Sequence, residues 1–593
     1  MPSVNRTITS PLVRRLVIRR FRGISSFEWL PNPGLNVILG GGDVGKTTVL
    51  EAIALLLSPS NFNALSDADF WDRKSEDGFQ IEAVMSIPDE CGINQHPRQV
   101  WPWNWNGSVP TVPSIEDEGD QAPELVTPVY CIRVAANADY ELAHELIHPD
   151  GTATHLSTSV RRAIGLVRLG GDDRNDRDLR LVQGSALDRL LSDATLRSRL
   201  GKLLGDKEVE SGLKDDAQTK LKQLDRAFQV RALPHDLSLG LTSAQGLSIG
   251  SLIGLTADRH GVQLPMASWG SGTRRLASLE IAAANQIGHA LTVVDEVERG
   301  LEPYRLRSLI KRLQTATSQA FLTTHSGVAI GAANNASIWY FDAKGSIGRL
   351  PQAKISRQQQ RDPETFLARL TIVAEGETEK GFVRRLFERA NDCALQDRGI
   401  WITEGGGSDN SLNLLEALAD GDMLFGAFVD NEGRDPERWA RLRVRLGSLL
   451  FQWTTGCLEE NIIKHIAAER IEEFIIDPEE GNSGERRRTL ADRLSIADKS
   501  LVAIKAKVGG NLTNLIIEAA MGRVPDDKRD ATKSEKDEYR KHAKHWFKTY
   551  EGGVELANKV FTFGVWEKIR DQVLPFVNEV RKIDRCPPLS DIS

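Results

Sequence analysis

The segment that most restricts the fold is Gly40-Gly41-Gly42-Asp43-Val44-Gly45-Lys46-Thr47, a GxxxxGK[ST] run between apolar Leu35–Leu39 and the helix-favouring stretch Thr47–Leu57. A short apolar run ending in glycines reads as a strand, so the motif sits on a strand–loop–helix corner. There, consecutive backbone N–H groups can curl around phosphates and the helix N-terminus adds positive dipole. Lys46 would reach the β and γ oxygens of ATP, and Thr47 would offer its hydroxyl to Mg²⁺. Gly40, Asp43, Gly45, Lys46, Thr47 and Thr48 are the expected nucleotide contacts. An ordinary glycine-rich turn can meet this spacing by accident, so the motif gains weight only from companion motifs further along the chain.

Three later features arrive in a fixed order, each in suitable local structure. Leu291–Val294 is an apolar strand capped by Asp295 and Glu296. The first acid suits Mg²⁺ held through water, and the second can orient or deprotonate the attacking water. Ala320–Thr324 is another apolar run, and His325 at its end can sense a γ-phosphate. Ser268-Trp269-Gly270-Ser271-Gly272-Thr273-Arg274 heads an apparent helix and resembles the signature motif of ABC-type ATPases such as the RecF, Rad50 and SMC proteins. That resemblance implies a head-to-head homodimer in which the signature of one subunit, through Ser271 or Ser268, closes over ATP on the other. Gly300-Leu301-Glu302-Pro303 looks like the D-loop of the same family. Gly270 stands where a serine is common and Gly42 where an asparagine is frequent, so slow turnover is expected. The likeness covers roughly residues 12–345.

At 593 residues the chain exceeds what one hydrophobic core organises. Expected boundaries are 1–150 for the first part of the ATPase domain, 151–240 for a helical insert, 241–365 for the second part, and 366–593 for a separate C-terminal domain. Strands are expected at Val13–Phe21, Ile81–Ile87 and Val129–Val134. Within the insert, Leu187, Leu190, Leu191, Leu196, Leu200, Leu203 and Leu204, then Leu221, Leu224 and Phe228, recur at helical spacing. Such a stripe can pack on its own domain or serve dimerisation, and the spacing leaves both open. The polar run Gln352–Asp362 reads as a linker, and the stretch around Trp101, Trp103 and Trp105 with the acids Glu116–Asp120 as a surface loop. Cys91, Cys131, Cys393, Cys457 and Cys586 include no CxxC pair, against a disulfide framework or zinc ribbon. No apolar run is long enough to span a bilayer and no leader is evident, so a cytoplasmic address is expected. The net charge of −7 leaves DNA binding undecided, since acidic metal sites lower it while local basic patches still hold phosphates.

The C-terminal domain opens on Leu370–Ala374, a strand leading into Glu375-Gly376-Glu377-Thr378-Glu379 and a helix. Leu424–Val429 is a second strand, ending in Asp430-Asn431-Glu432, and Glu459 and Glu460 lie in Leu458–Ile462. Hard oxygen donors clustered at strand ends suit Mg²⁺ or Mn²⁺. Two such ions about 4 Å apart can activate water and stabilise a departing 3′ oxygen. Single strand-end acids are usually solvated, but two clusters in one domain are harder to dismiss. The EGxTE run and the DNE triplet, a mild departure from DxD, resemble the Toprim fold. A Toprim domain directly after an ABC-type ATPase resembles the OLD (overcoming lysogenization defect) nucleases, class 2, which include the Gabija nuclease subunit.

That resemblance implies an α/β chain acting as an ATP-binding, metal-dependent DNA endonuclease. Glu375, Glu379, Asp430, Glu432, Glu459 and Glu460 would be metal ligands, two ions per site, with Lys548 stabilising the transition state. It also implies phage defence, in company with a UvrD-like helicase. Arg434, Arg438, Arg441, Arg443, Arg445, Arg486–Arg488 and the basic residues of Lys528–Lys548 can position phosphates or simply be solvated. An ATP-gated DNA clamp with a silent Toprim domain is the alternative. A primase would want a zinc module and a topoisomerase a nucleophilic tyrosine, and neither is recognisable.

Overall fold

A computed structural model of the chain describes residues 8–58, 65–93, 102–113, 127–169, 178–182, 185–191, 213–241, 253–284, 290–391, 394–476, 482–525, 528, 530 and 532–592. They form two compact units that divide between Arg349 and Leu350.

The first unit holds an eight-stranded, largely antiparallel sheet and a six-stranded sheet that carries the P-loop. In the latter the order is Leu166–Leu169, Leu291–Val294, Ala320–Thr323, Leu35–Gly40, Ser337–Phe341, Ile347–Leu350. The first five strands run parallel. Leu35–Gly40, Leu291–Val294 and Ala320–Thr323 are buried along their whole length, which is why they read as mainly apolar runs without alternation, broken by the buried Asn36 and Thr292. Parallel direction puts Gly40, Val294 and Thr323 at one edge, so the loops beyond them all emerge there. Helix Lys46–Leu57 touches strands of both sheets, and Val49, Leu50 and Ala52 to Leu57 are buried. Its C-terminal half, apolar on every side, is enclosed on every side, while Thr47, Thr48 and Glu51 face less covered surroundings.

The described part of the insert stripe packs within its own unit. Helices Ala186–Leu191 and Asp215–Val230 meet each other and both meet helix Ser271–Ala284, burying Leu187, Leu190, Leu191, Leu221, Leu224 and Phe228. This part of the stripe is covered by the signature helix. Leu196, Leu200, Leu203 and Leu204 lie outside the described residues. Leu166–Leu169, expected inside the insert, is the edge strand of the P-loop sheet. Trp103–Trp105, expected in a loop, is a short strand paired with Thr127–Ala136, with Trp103 Nε1 donating to the Ile147 carbonyl at 2.9 Å. Trp101 and Glu116–Asp120 lie outside the described residues.

The second unit carries a four-stranded parallel sheet ordered Ile400–Glu404, Leu370–Ala374, Phe425–Val429, Leu450–Gln452. The polar run expected as a linker is helix Gln352–Arg361, lying on helix Ser408–Asp420. Gln358 and Gln359 are buried in it; Gln358 Nε2 donates to Thr403 Oγ1 at 3.1 Å, and the neighbouring Arg357 pairs with Glu404 at 2.7 Å. The chain is thus α/β in both units. Among the described residues no helix is long and apolar enough to cross a membrane.

Candidate active sites

In the first unit the P-loop is shaped by two glycines. Gly40 has φ +151°, and a Cβ there would meet the Phe341 carbonyl oxygen at 2.3 Å; Gly45 has φ +108° and starts the helix. Lys46 is buried and donates to the Gly40 and Gly41 carbonyls at 3.0 and 2.5 Å, and burial lowers its pKa. Asp295 Oδ1 accepts from Thr323 Oγ1 at 2.5 Å and Thr47 Oγ1 at 3.3 Å, so the two expected Mg²⁺-side residues meet. Glu296 is half-exposed with φ +47°, its amide held by Thr323 Oγ1 at 2.8 Å. Asp43 is exposed, also at positive φ, and Thr48 is half-buried.

Two residues here escape the motif reading. Glu298 accepts from the His325 amide at 2.7 Å and Thr324 Oγ1 at 2.6 Å, tying the acidic turn to the histidine segment while the imidazole stays exposed. Arg275, buried in the signature helix, donates to the Asp295 carbonyl. Ser271 opens that helix, and a Cβ on neighbouring Gly272 would meet the Gly300 carbonyl oxygen at 2.0 Å, so the signature rests directly on its own D-loop.

In the second unit the carboxyl edge of the sheet gathers Glu375, Glu379, Asp430 and Glu459, all buried. Glu375 Oε2 accepts the Asp430 amide at 3.1 Å, and Asp430 Oδ1 accepts the Leu458 amide at 3.0 Å. Donor atoms of Asp430, Cys457 and Glu459 lie within 4.8 Å of one another. Glu459 is wholly enclosed, and its Oε1 lies 2.8 Å from Lys548 Nζ while neither carboxylate oxygen has a well-directed hydrogen bond.

Lys548 is distant in sequence, and glycines bring it in. A Cβ on Gly381 would meet the Tyr550 carbonyl oxygen at 2.0 Å, and one on Gly553 the Thr378 carbonyl oxygen at 2.0 Å. Helices Glu377–Ala390 and Tyr550–Thr562 therefore touch backbone to backbone, and Thr378 Oγ1 donates to the Phe547 carbonyl at 2.8 Å. Gly553→Ala is expected to cost about 1–3 kcal/mol by forcing these helices apart, checked by the urea midpoint of unfolding.

The electrostatics are unbalanced, with four buried carboxylates against one ammonium. Burial, then repulsion from Glu379, Glu459 and Glu375, drives the Asp430 pKa up. Burial and Glu459 do the same to Glu379, and burial leads the rise at Glu375. Burial alone would lower the Lys548 pKa, but attraction to Glu459 and Glu379 outweighs it and the net shift is upward. The Cys457 thiol is pushed up by burial and the same acids. Such a set is stable only with protons or cations among its oxygens, and a hard divalent ion fits the donors.

Other candidates separate. Glu432 is exposed at the rim, 3.5 Å from Arg434, close enough to raise the Glu375 pKa. Glu460 does not join the cluster; its neighbour Glu459 faces inward, while Glu460 pairs with Arg523 at 3.0 Å. Arg438 is taken by Glu416 at 2.8 Å and Arg445 by Asp422 at 2.6 Å. Arg486, expected in a phosphate-facing run, is wholly buried and paired with Glu555 at 2.6 Å. Arg488 pairs with Glu485 and Asp492.

Residues 144–330 match the family model for an AAA domain, putative AbiEii toxin of a Type IV TA system. Residues 366–431 match the model for an overcoming lysogenization defect protein-like TOPRIM domain. An AAA-type ATPase domain is thus followed in the chain by an OLD-like TOPRIM domain. The TOPRIM match opens just before Leu370–Ala374 and ends just past Asp430, taking in Glu375 and Glu379. Among curated relatives, the DNA replication and repair protein RecF of Listeria welshimeri is 31% identical over 84 residues, 14% of this chain and 23% of that protein. RecF of Desulforamulus reducens is 39% identical over 63 residues, 11% and 17% respectively. The chain thus spans about a quarter or less of the length of these relatives. Among solved structures, an SMC head bound to the C-winged helix domain of ScpA aligns with TM-score 0.38 and 14% identity, over 58% of this chain and 99% of that one. A RecF structure with a bound ATP analogue gives TM-score 0.37 and 12% identity over the same shares.

Proposed function

We propose that the chain is an ATP-regulated, divalent-metal-dependent DNA endonuclease working as a homodimer, with phosphodiester hydrolysis at the TOPRIM carboxylates. The carrying observation is the enclosure of Glu375, Glu379, Asp430 and Glu459 around one lysine at the carboxyl edge of a parallel sheet. Mg²⁺ or Mn²⁺, when bound, would supply a water of lowered pKa and neutralise phosphate charge. Glu375, Glu379, Asp430 and Glu459 would hold the ions, with Glu432 completing the set from the rim. Lys548 stays protonated and can donate to an oxygen gaining charge as the bond breaks.

In the ATPase domain Lys46 would exchange the P-loop carbonyls for phosphate oxygens, Thr47 and Asp295 would flank Mg²⁺, and Glu296 would orient water. Ser271 of one subunit would close on ATP held by the other, and Glu298 would fix the backbone of His325. ATP-dependent dimerisation is the regulatory step. A role in phage defence accords with the OLD-like character and needs no helicase partner for the chemistry described.

The test is nicking of supercoiled plasmid by the full chain with Mg²⁺ or Mn²⁺, with and without ATP, beside Glu375→Ala. Metal-dependent nicking abolished by the substitution is the expected result. Wild-type protein that binds DNA in an ATP-dependent way but never cuts it would replace this reading with an ATP-gated clamp.

A further inference from the structure

A cavity of about 530 Å³ opens in the second unit beside the carboxylates, between the loop after Phe425–Val429, helix Pro436–Leu446 and strand Leu450–Gln452. That volume lies within the range of pockets that take small organic groups. Trp439, nearly buried, contributes to its apolar lining, as does Val444, a valine 90% exposed. Arg434 and Arg443 supply positive charge. Arg434 is 65% exposed and has one weak ion pair, to Glu432 at 3.5 Å.

The cavity is joined to the acidic site. Asn431, in its lining, directly succeeds Asp430, and Gln452 Nε2 donates to the Asp430 carbonyl at 3.2 Å. The other end of Gln452 accepts from Arg443 Nη2 at 2.7 Å, so one side chain fixes both a site residue and a pocket arginine. An apolar hollow with guanidinium groups suits a base and its flanking phosphates. A base paired inside a duplex could not enter it.

We propose that this cavity receives one unpaired nucleotide of the cleaved DNA strand, next to the scissile phosphate. The inference rests on the nuclease reading and adds that a duplex substrate is locally opened at the cut. Arg434 and Arg443 hold the flanking phosphates, and Trp439 and Val444 contact the base.

The test uses the full chain carrying Glu375→Ala, so that binding is read without cleavage. Fluorescence anisotropy would track a labelled single-stranded oligonucleotide over a salt series, and 2-aminopurine within a duplex would report unstacking. Arg434→Ala and Arg443→Ala are each expected to weaken binding about tenfold and lower the salt slope by about one. Val444→Asp should abolish the 2-aminopurine rise. Arg441→Ala, an exposed charge on the same helix outside the cavity, should change affinity less than about twofold. Equal effects from Arg441 and the cavity arginines, or no 2-aminopurine rise with the Glu375→Ala protein, would overturn the proposal. Because Arg434 has little to do with the fold, its variant stands even if Arg443→Ala disturbs Gln452. These arms are independent of nicking: a chain that never cuts but unstacks the probe loses the nuclease reading, and one that cuts without unstacking loses the pocket.

Discussion

Arg486→Ala is expected to destabilise the second unit by about 3–5 kcal/mol, the range for removing one partner of a buried ion pair. Its guanidinium is fully enclosed, donates to both Glu555 oxygens at 2.9 and 2.6 Å, and reaches the carbonyls of His545, Trp546 and Ile475 at 3.1–3.3 Å. It also lies over the Trp546 and Phe547 rings, 5.6 and 5.1 Å from their centres. Truncation would strand Glu555 with Lys559 at 3.4 Å as its neighbouring cation, and would take the guanidinium donors away from buried carbonyls. The residues released are those immediately before Lys548, so the Lys548 ammonium would lose its footing along with the core. Urea unfolding of Arg486→Ala, of Arg486→Met and Glu555→Gln singly, and of Arg486→Met/Glu555→Gln tests this. The double variant should recover part of the loss, because the cost lies in the unpaired charge. A single-variant loss below about 1 kcal/mol would mean that the pair contributes no more than a surface bridge.

How much of this is legible in the sequence depends on where the information resides. The P-loop, the acids after Leu291–Val294 and the EGxTE turn are local: each is a strand, a turn and a helix start within about ten residues, and the parallel sheets put their ends where the motifs require. Asp430 obeys the same rule. Lys548 can be named only through the family likeness, because nothing near it signals a site; what delivers it is the absence of Cβ atoms at Gly381 and Gly553, a long-range contact. Cys457 is visible two residues before Glu459 but reads as an inert thiol. Charge runs mislead in both directions. Arg486 looks like its exposed neighbour Arg487, and Gln358 and Gln359 look like linker, since burial of polar groups depends on partners that no local pattern encodes. The pair Glu459 and Glu460 shows the limit most sharply, as consecutive helix residues must diverge and only one can face the cluster.

The carboxylate cluster carries the second large expectation, a metal-dependent stability that grows with pH. In the metal-free chain Asp430, Glu379 and Glu375 have pKa values raised above their ordinary range, so the folded state holds more protons than the unfolded one. Stability from these groups is full below the ordinary carboxylate range and is lost as pH rises towards and through the raised values. A divalent ion takes the place of those protons. At 100-fold excess over its dissociation constant it adds about 2.7 kcal/mol for one site, and more of this is realised at higher pH because fewer protons must be displaced. The expected result is a metal-free Tm lower at pH 9 than at pH 6, with Mn²⁺ raising Tm at both and more strongly at pH 9. Protection of Phe425–Val429 from hydrogen exchange should change in the same order, which places the effect in the second unit. Asp430→Asn removes the residue most opposed by its neighbours, so it should stabilise the metal-free chain at pH 9 and blunt the response to Mn²⁺ together. A Tm indifferent to Mn²⁺ across this range would mean that protons, rather than metal ions, are what the four carboxylates are built to share.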